Sequence, residues 1–395
     1  MRLRSRSTAI AASLALALAA GPLVAPAFAA PAAVTARTAN TVPDPGALQA
    51  ALAGLPDADA TAALVRVGGT DGTWRGSAGV HDLASGRAAD PNARFRAGST
   101  TKVVTAATVL KLAAEGEVDL DTPVQHYLPG LLTPAFKPIS VRQLLNHTSG
   151  IQAGDGWGDD FADQYAHRFD TITPEQVVAS AVAKGPEFDP GDRQDYLNIN
   201  YTILGMLIEK VTGHSYEHEA TRLVLRPAGM RHTSFPGSDP VIHGPHNHGY
   251  QLVKNADGTT RFVDVTDWNQ ADRRAAGDMI STTADLERLI TALFQGRIVP
   301  GPQLQEMFTV PANIPGATYS AGLTRFEYKG TVYWLKSGAR YGYSTAIAAT
   351  QDLSRTLVYS VDSTDSKGES ANAVAQRIVA ATLKQQPERS APPVA

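Results

Sequence analysis

Ser99 and Lys102, in the stretch Phe95-Arg96-Ala97-Gly98-Ser99-Thr100-Thr101-Lys102, put a hydroxyl three residues ahead of an amine at the start of an apolar-periodic run. The apolar positions Val103, Val104, Ala107, Leu110 and Ala114 keep helical spacing, and Gly116 supplies a stop, so a helix is predicted after Gly98. Ser99 then falls in the first turn, where unpaired N–H groups and the positive end of the helix dipole favour negative charge. Residues three apart share a helix face, so both side chains can enter one pocket. A serine hydroxyl becomes a nucleophile when a neighbouring base takes its proton, and a lysine does this once burial or a second cation makes it neutral. The chemistry implied is acyl transfer to Ser99. The plainer alternative is a helix-capping serine followed by a solvated lysine.

The elements that must position this pair are spread over a chain of 395 residues, long enough for a sizeable core. A formal net charge of −3 gives no general attraction to nucleic acid or acidic membranes. No cysteine is present, which excludes a cysteine nucleophile and a disulfide framework. Residues 1–29 carry Arg2, Arg4 and Arg6, an apolar Ala/Leu run, and Ala27-Phe28-Ala29 at the spacing of a cleavage site, the pattern of a secretory signal peptide. A secreted, extracellular protein is expected. Residues 30–45 and 385–395 read as a flexible leader and tail, rich in Ala, Thr and Pro or in polar residues.

Strand patterns occur at both ends of the remaining 46–384. They are Ala62-Ala63-Leu64-Val65-Arg66-Val67 and 73–80 near the start, then 321–326, 331–335, 345–349 and 356–361 near the end, followed by a closing helix from about Ser370 to Leu383. Helical patterns and loops dominate from about Ile139 to Phe294. The predicted class is α+β. An antiparallel sheet built from about 46–125 and 285–384 is flanked by helices, with a mostly helical region inserted over about 126–284.

Three ordered motifs carry a resemblance. The segment 95–102 resembles the first motif of the serine β-lactamase and D-alanyl-D-alanine peptidase superfamily, in particular its class C and low-molecular-weight carboxypeptidase branch. Tyr196-Leu197-Asn198 is similar to that branch's Tyr-x-Asn, and Lys336-Ser337-Gly338-Ala339 to its Lys/His-Thr/Ser-Gly. Connecting signatures fit in order, among them Leu144-Leu145-Asn146-His147-Thr148-Ser149-Gly150, Pro227-Ala228-Gly229-Met230 and Ser281-Thr282-Thr283-Ala284-Asp285-Leu286.

The resemblance implies a β-lactamase/transpeptidase-like fold and a catalytic set of Ser99, Lys102, Tyr196, Asn198 and Lys336. Ser337, Gly338, Ala339 and Arg325 are implied in substrate binding, with the N–H groups of Ser99 and Ala339 forming an oxyanion hole. Lys102 and Tyr196 both remain candidates for the acylation base, and Lys336 would push Tyr196 toward phenolate character. Arg325 and Arg340 are candidates to bind a substrate carboxylate. One departure stands out: Lys-Ser-Gly-Ala stands where the carboxypeptidases commonly have His-Thr-Gly-Thr, so neither of the two threonines that serve a terminal carboxylate is kept.

The function expected is a secreted D-alanyl-D-alanine carboxypeptidase acting on peptidoglycan stem peptides, acylated by penicillins. A class C-like β-lactamase, a D-aminopeptidase or an esterase is the alternative, and a catalytically silent wall-binding protein the further one. The partner is a small-molecule or peptide substrate. Neither organic cofactor nor metal is expected, since His243-Gly244-Pro245-His246-Asn247-His248 lacks a carboxylate at ligand spacing and reads as a surface loop.

Overall fold

Two runs of nine and eight residues, Ala60–Gly68 (β1) and Thr356–Ser363 (β10), are buried almost throughout. Continuous burial marks strands covered on both faces. The computed structural model describes residues 42–158, 160–368 and 370–383. The segment read as a signal peptide, most of the leader, and the tail lie outside the described residues.

The sheet has six antiparallel strands in the order β2-β1-β10-β9-β8-β7, where β2 is Trp74–Gly79, β7 Thr324–Tyr328, β8 Thr331–Arg340 and β9 Tyr343–Thr350. Its centre joins the two ends of the chain, with Ala60 opposite Ser363 and Gly68 opposite Thr356. The other strands are short: β3, Phe95–Arg96, pairs with β6, Ile280–Ser281, and β4, Tyr250–Lys254, forms a hairpin with β5, Thr260–Asp264. That hairpin lies inside the mostly helical middle region, whose other elements are chiefly helices. Its alternation is weak because only Val263 among the β5 residues is buried.

On one face lie Pro45–Ala51 (α1) and the closing helix Ala373–Leu383, packed on Val65, Val67, Tyr359 and Val361. The other face carries the main core and the helix Thr101–Ala114 (α2). Every residue from Thr101 to Leu110 is buried. The periodicity behind Ser99 therefore belongs to a central helix covered on all sides, not to an amphipathic one. Val103, Val104, Val109 and Leu110 are fully buried, each contributing about 1.5–3 kcal/mol of transfer free energy. Among the described residues no helix is long and apolar enough to cross a membrane.

Candidate active site

The chain enters α2 through a single 3-10 turn, Gly98–Thr100, which carries Ser99. Gly98 holds φ at +52°, and a Cβ there would stand 2.6 Å from the Ala339 nitrogen. Hydroxyls pin the turn. Thr100 Oγ1 and Thr345 Oγ1 donate to the Ala97 carbonyl at 2.9 and 2.8 Å, and Thr101 Oγ1 donates to Gly98 O at 2.7 Å.

Strand β8 supplies the opposite wall. β7 pairs with it only as far as Leu335, so from Lys336 to Arg340 the edge away from β9 is open to the turn. A Cβ on Gly338 would lie 2.0 Å from Ala97 O and 3.0 Å from the Ser99 nitrogen. Glycine at this position is thus a requirement of close backbone approach. The main chains of Ser99 and Ala339 lie side by side, as two converging donors to one oxyanion must.

Lys102 is fully buried, and its Nζ lies 2.7 Å from Asn198 Oδ1, 2.6 Å from the Ala276 carbonyl and 3.2 Å from Ser99 Oγ. Burial lowers its pKa well below the ordinary lysine value, and repulsion by Lys336, Arg273 and Lys367 adds to this. Asn198 opens the helix Asn198–Thr212, and the extended residue Leu197 ahead of it sets Tyr196 on the site side.

Tyr196 is held by rings. His147 lies 4.5 Å and Tyr319 5.1 Å from it between centroids. Gln194 fixes this wall by donating to Asn146 O and Tyr319 O at 2.7 and 2.8 Å while its own oxygen accepts from the Thr318 and Tyr319 N–H groups. Lys102 and Lys336 Nζ lie 5.0 and 4.6 Å from the Tyr196 ring centroid. Burial raises the Tyr196 pKa above its ordinary value, with the Ser99 hydroxyl pulling the other way. The phenol oxygen closes no hydrogen bond of ordinary geometry among the described residues, so its approach to Ser99 is loose. Lys336 meets the ring face rather than the phenol oxygen, and burial acts against the phenolate character expected of Tyr196.

Burial pushes Lys336 down to about 7. Its Nζ donates to the Ser337 carbonyl at 2.9 Å. His147 is held neutral by burial first and then by Lys102 and Lys336. Its Nδ1 lies 3.2 Å from Asn200 Nδ2, whose own oxygen accepts from Ser149 Oγ at 2.6 Å. Nδ1 is therefore the acceptor and Nε2 carries the proton.

Two substrate-binding expectations meet a different placement. Ser337 pairs with Ala346, which belongs to the core under α1 and the closing helix, whereas Lys336 pairs with Ile347 on the Ser99 side. The Ser337 side chain stands on the far face of the sheet and contributes its carbonyl to the site. Arg325 pairs with Glu327 at 2.8 Å on the exposed part of β7. Gly338 and Ala339 lie along Ser99 as expected. His243 and His248 pair with Asp239 and Asp264, each at 2.7 Å, and among the described residues no cluster of three or more metal-ligating side chains occurs.

Sequence reasoning missed Ala276, Gln194, Tyr319 and the His147–Asn200–Ser149 chain. It also missed Asp278, two residues beyond the carbonyl that holds Lys102. Both Asp278 carboxylate oxygens are buried without a well-formed hydrogen bond among the described residues, and burial raises its pKa to about 8.

Comparison with known proteins bears on the same residues. The Beta-lactamase family model matches residues 48–381. Penicillin-binding protein 4* of Bacillus subtilis (strain 168) is 28% identical over 308 residues, which is 74% of this chain and 65% of that protein. The chain thus spans just under two thirds of that relative's length, and 41% of the protein flp of Staphylococcus aureus (strain COL), which is 31% identical over 216 residues, 54% of this chain. The crystal structure of a D-stereospecific amidohydrolase from Streptomyces sp. is 33% identical with a TM-score of 0.73, covering 86% of this chain and 99% of that one. With an antiparallel sheet, a serine–lysine pair on a buried helix and this match across most of its length, the chain belongs to the β-lactamase family of serine hydrolases.

Proposed function

We propose that this protein hydrolyses amide bonds at D-configured residues through an acyl-enzyme on Ser99. The observation that carries the reading is the three-way environment of Lys102 Nζ. Asn198 Oδ1 and Ala276 O accept from it at 2.7 and 2.6 Å. A neutral amine has two N–H donors and one lone pair, so once those two bonds are made the lone pair is left for Ser99 Oγ. Lys102 takes the serine proton, the Tyr196 phenol gives its own to the leaving amine, and the proton on Lys102 then returns to the phenol oxygen, so both groups end neutral. The N–H groups of Ser99 and Ala339 receive the charge on the tetrahedral oxygen. Water then releases the acyl group.

The similarity to a D-stereospecific amidohydrolase over nearly all of that chain supports D-configuration and an amide. The first alternative is the D-alanyl-D-alanine carboxypeptidase, supported by the likeness to penicillin-binding protein 4*. Arg325, engaged with Glu327, and a third motif whose one hydroxyl, on Ser337, faces away from Ser99 weigh against a site for a terminal carboxylate. Export follows from the 1–29 pattern and is tested by the N-terminal sequence of protein recovered from culture medium.

Steady-state rates with D- and L-phenylalanine amide, a D-Ala-D-Ala peptide and nitrocefin rank these readings. Turnover of the D-amide above its mirror image is expected, and equal rates for the two enantiomers reject the proposal. Fastest turnover of the D-Ala-D-Ala peptide promotes the carboxypeptidase instead.

A further inference from the structure

The end of β8 beyond Ala339 gathers cations. Lys367, exposed on the loop after β10, donates from Nζ to the Ala339 carbonyl at 3.0 Å. That loop is tied down next to it by Ser366 Oγ, which donates to the Arg340 carbonyl. Gly277 lies between Arg273 and the nucleophile turn. A Cβ built on Gly277 would meet Arg273 Cβ at 3.5 Å and Gly98 C at 3.6 Å. Behind them Arg340 is buried, 4% exposed, and among the described residues its guanidinium meets one carboxylate, Asp272 Oδ1, at 3.5 Å.

Asp272 is shared, since its other oxygen is 3.3 Å from Arg273 Nε. The guanidiniums of Arg273 and Arg340 thus share one carboxylate, and with Lys367 on the adjoining loop this leaves an excess of positive charge beside the oxyanion strand. Asp365, on the same loop, is exposed and accepts from Gln251 Nε2 at 3.3 Å. Desolvation first, then Arg340 and Arg273, push the Lys367 pKa down to about 7; as an ammonium it has three donors, and one is committed to Ala339.

The direction of the substrate follows from the proton-transfer groups. A leaving amine must lie next to Tyr196 and Lys102 to be protonated. With the reacting carbonyl between the Ser99 and Ala339 N–H groups, the acyl half of the substrate runs the other way, along the open edge of β8 toward Arg340 and Lys367. We propose that Lys367 and Arg273, backed by Arg340, form a carboxylate-binding subsite for the acyl half of the substrate. The inference rests on the Ser99 acyl-enzyme reading. It names the substrate class: a peptide or amide whose acyl side bears a free carboxylate, such as an acidic side chain, near the scissile bond.

The test uses the full-length mature protein and three probes: the p-nitrophenyl ester of glutaric acid monoanion, its neutral isostere p-nitrophenyl valerate, and a valeryl thioester whose leaving group is mercaptoacetate. The subsite predicts a higher kcat/KM for the glutarate than for the valerate. In Lys367→Ala and Arg273→Gln the glutarate-to-valerate ratio falls about tenfold, and in Lys367→Glu it drops further. A ratio cancels any misfolded fraction, so loss of folding cannot imitate the result. A ratio unchanged by these substitutions, or a preference for the carboxylate on the leaving group, overturns the subsite while valerate turnover leaves the acyl-enzyme reading standing. No turnover of valerate or glutarate rejects the acyl-enzyme reading and the subsite with it.

Discussion

Lys102 Nζ sits closer to Asn198 Oδ1, at 2.7 Å, than to Ser99 Oγ, at 3.2 Å. The two short contacts, to Asn198 and to the Ala276 carbonyl, are with atoms that can only accept. They orient the amine, and the longer contact is the reactive one.

If that orientation supplies the base, Lys102→Met should lower the rate of Ser99 acylation by about 10²–10⁴-fold. Covalent labelling with a fluorescent penicillin or a fluorophosphonate, followed by intact mass, measures it, with Ser99→Ala as the unlabelled reference. Labelling of Lys102→Met within threefold of the wild type rules Lys102 out as the base.

A second expectation concerns pH. Lys102 must be neutral to act, and its pKa lies well below the ordinary lysine value, so kcat/KM rises as pH climbs past that lowered value. Lys336 loses its charge near 7, removing the cation beside Tyr196, so the profile then falls. An alkaline limb centred near pH 7 is expected, and Lys336→Met should abolish it. Rates that keep climbing to about pH 9 in the wild type would falsify this assignment.

Gly338→Ala places a methyl 2.0 Å from Ala97 O and 2.6 Å from Thr345 Oγ1. Parting the turn from β8 should cost about 1–3 kcal/mol of stability. It should lower kcat by about 10²–10³-fold as the two oxyanion donors separate. Gly301→Ala, where no atom lies within 4 Å of the added methyl, is the control. Urea melts and kcat that match between the two variants contradict the close-approach argument.

Asp278 bears on stability. Its folded pKa is raised from the ordinary 3.8 to about 8, so between those values the folded state keeps a proton that the unfolded chain has released. The stability it contributes is complete below pH 3.8 and is lost as pH rises toward 8. The loss runs at up to about 1.4 kcal/mol per pH unit. Asp278→Asn should remove that slope and overtake the wild type in urea melts as pH increases. Parallel stability curves across the window would show that the carboxyl ionises as freely folded as unfolded.

The sequence displayed the nucleophile, the tyrosine motif and the glycine of β8 because each depends on residue type at a short spacing. Ser99 and Lys102 are one helical turn apart, and Gly338 is the single residue that fits beneath Ala97 O. The Ala276 carbonyl was invisible, since any residue presents a backbone oxygen. The face taken by Ser337 depends on register against Ala346, a partner nine residues on across a hairpin whose pairing no local pattern specifies. Arg325 reads as a free guanidinium until Glu327, two residues along the same strand, is seen to hold it. His147 signalled a motif, yet its neutral form comes from burial and its tautomer from Asn200, distant in sequence.

The pairing of Ala60 with Ser363 has a consequence for how activity is born. The middle of the sheet cannot close until synthesis has passed Ser363, because β1 waits for β10. A nascent chain that has already made its serine and lysine still lacks the neighbouring wall of β8 and the strands that hold it upright. Such a chain can neither cradle an oxyanion nor exclude water, so hydrolytic power switches on late and all at once, as a property of the finished molecule.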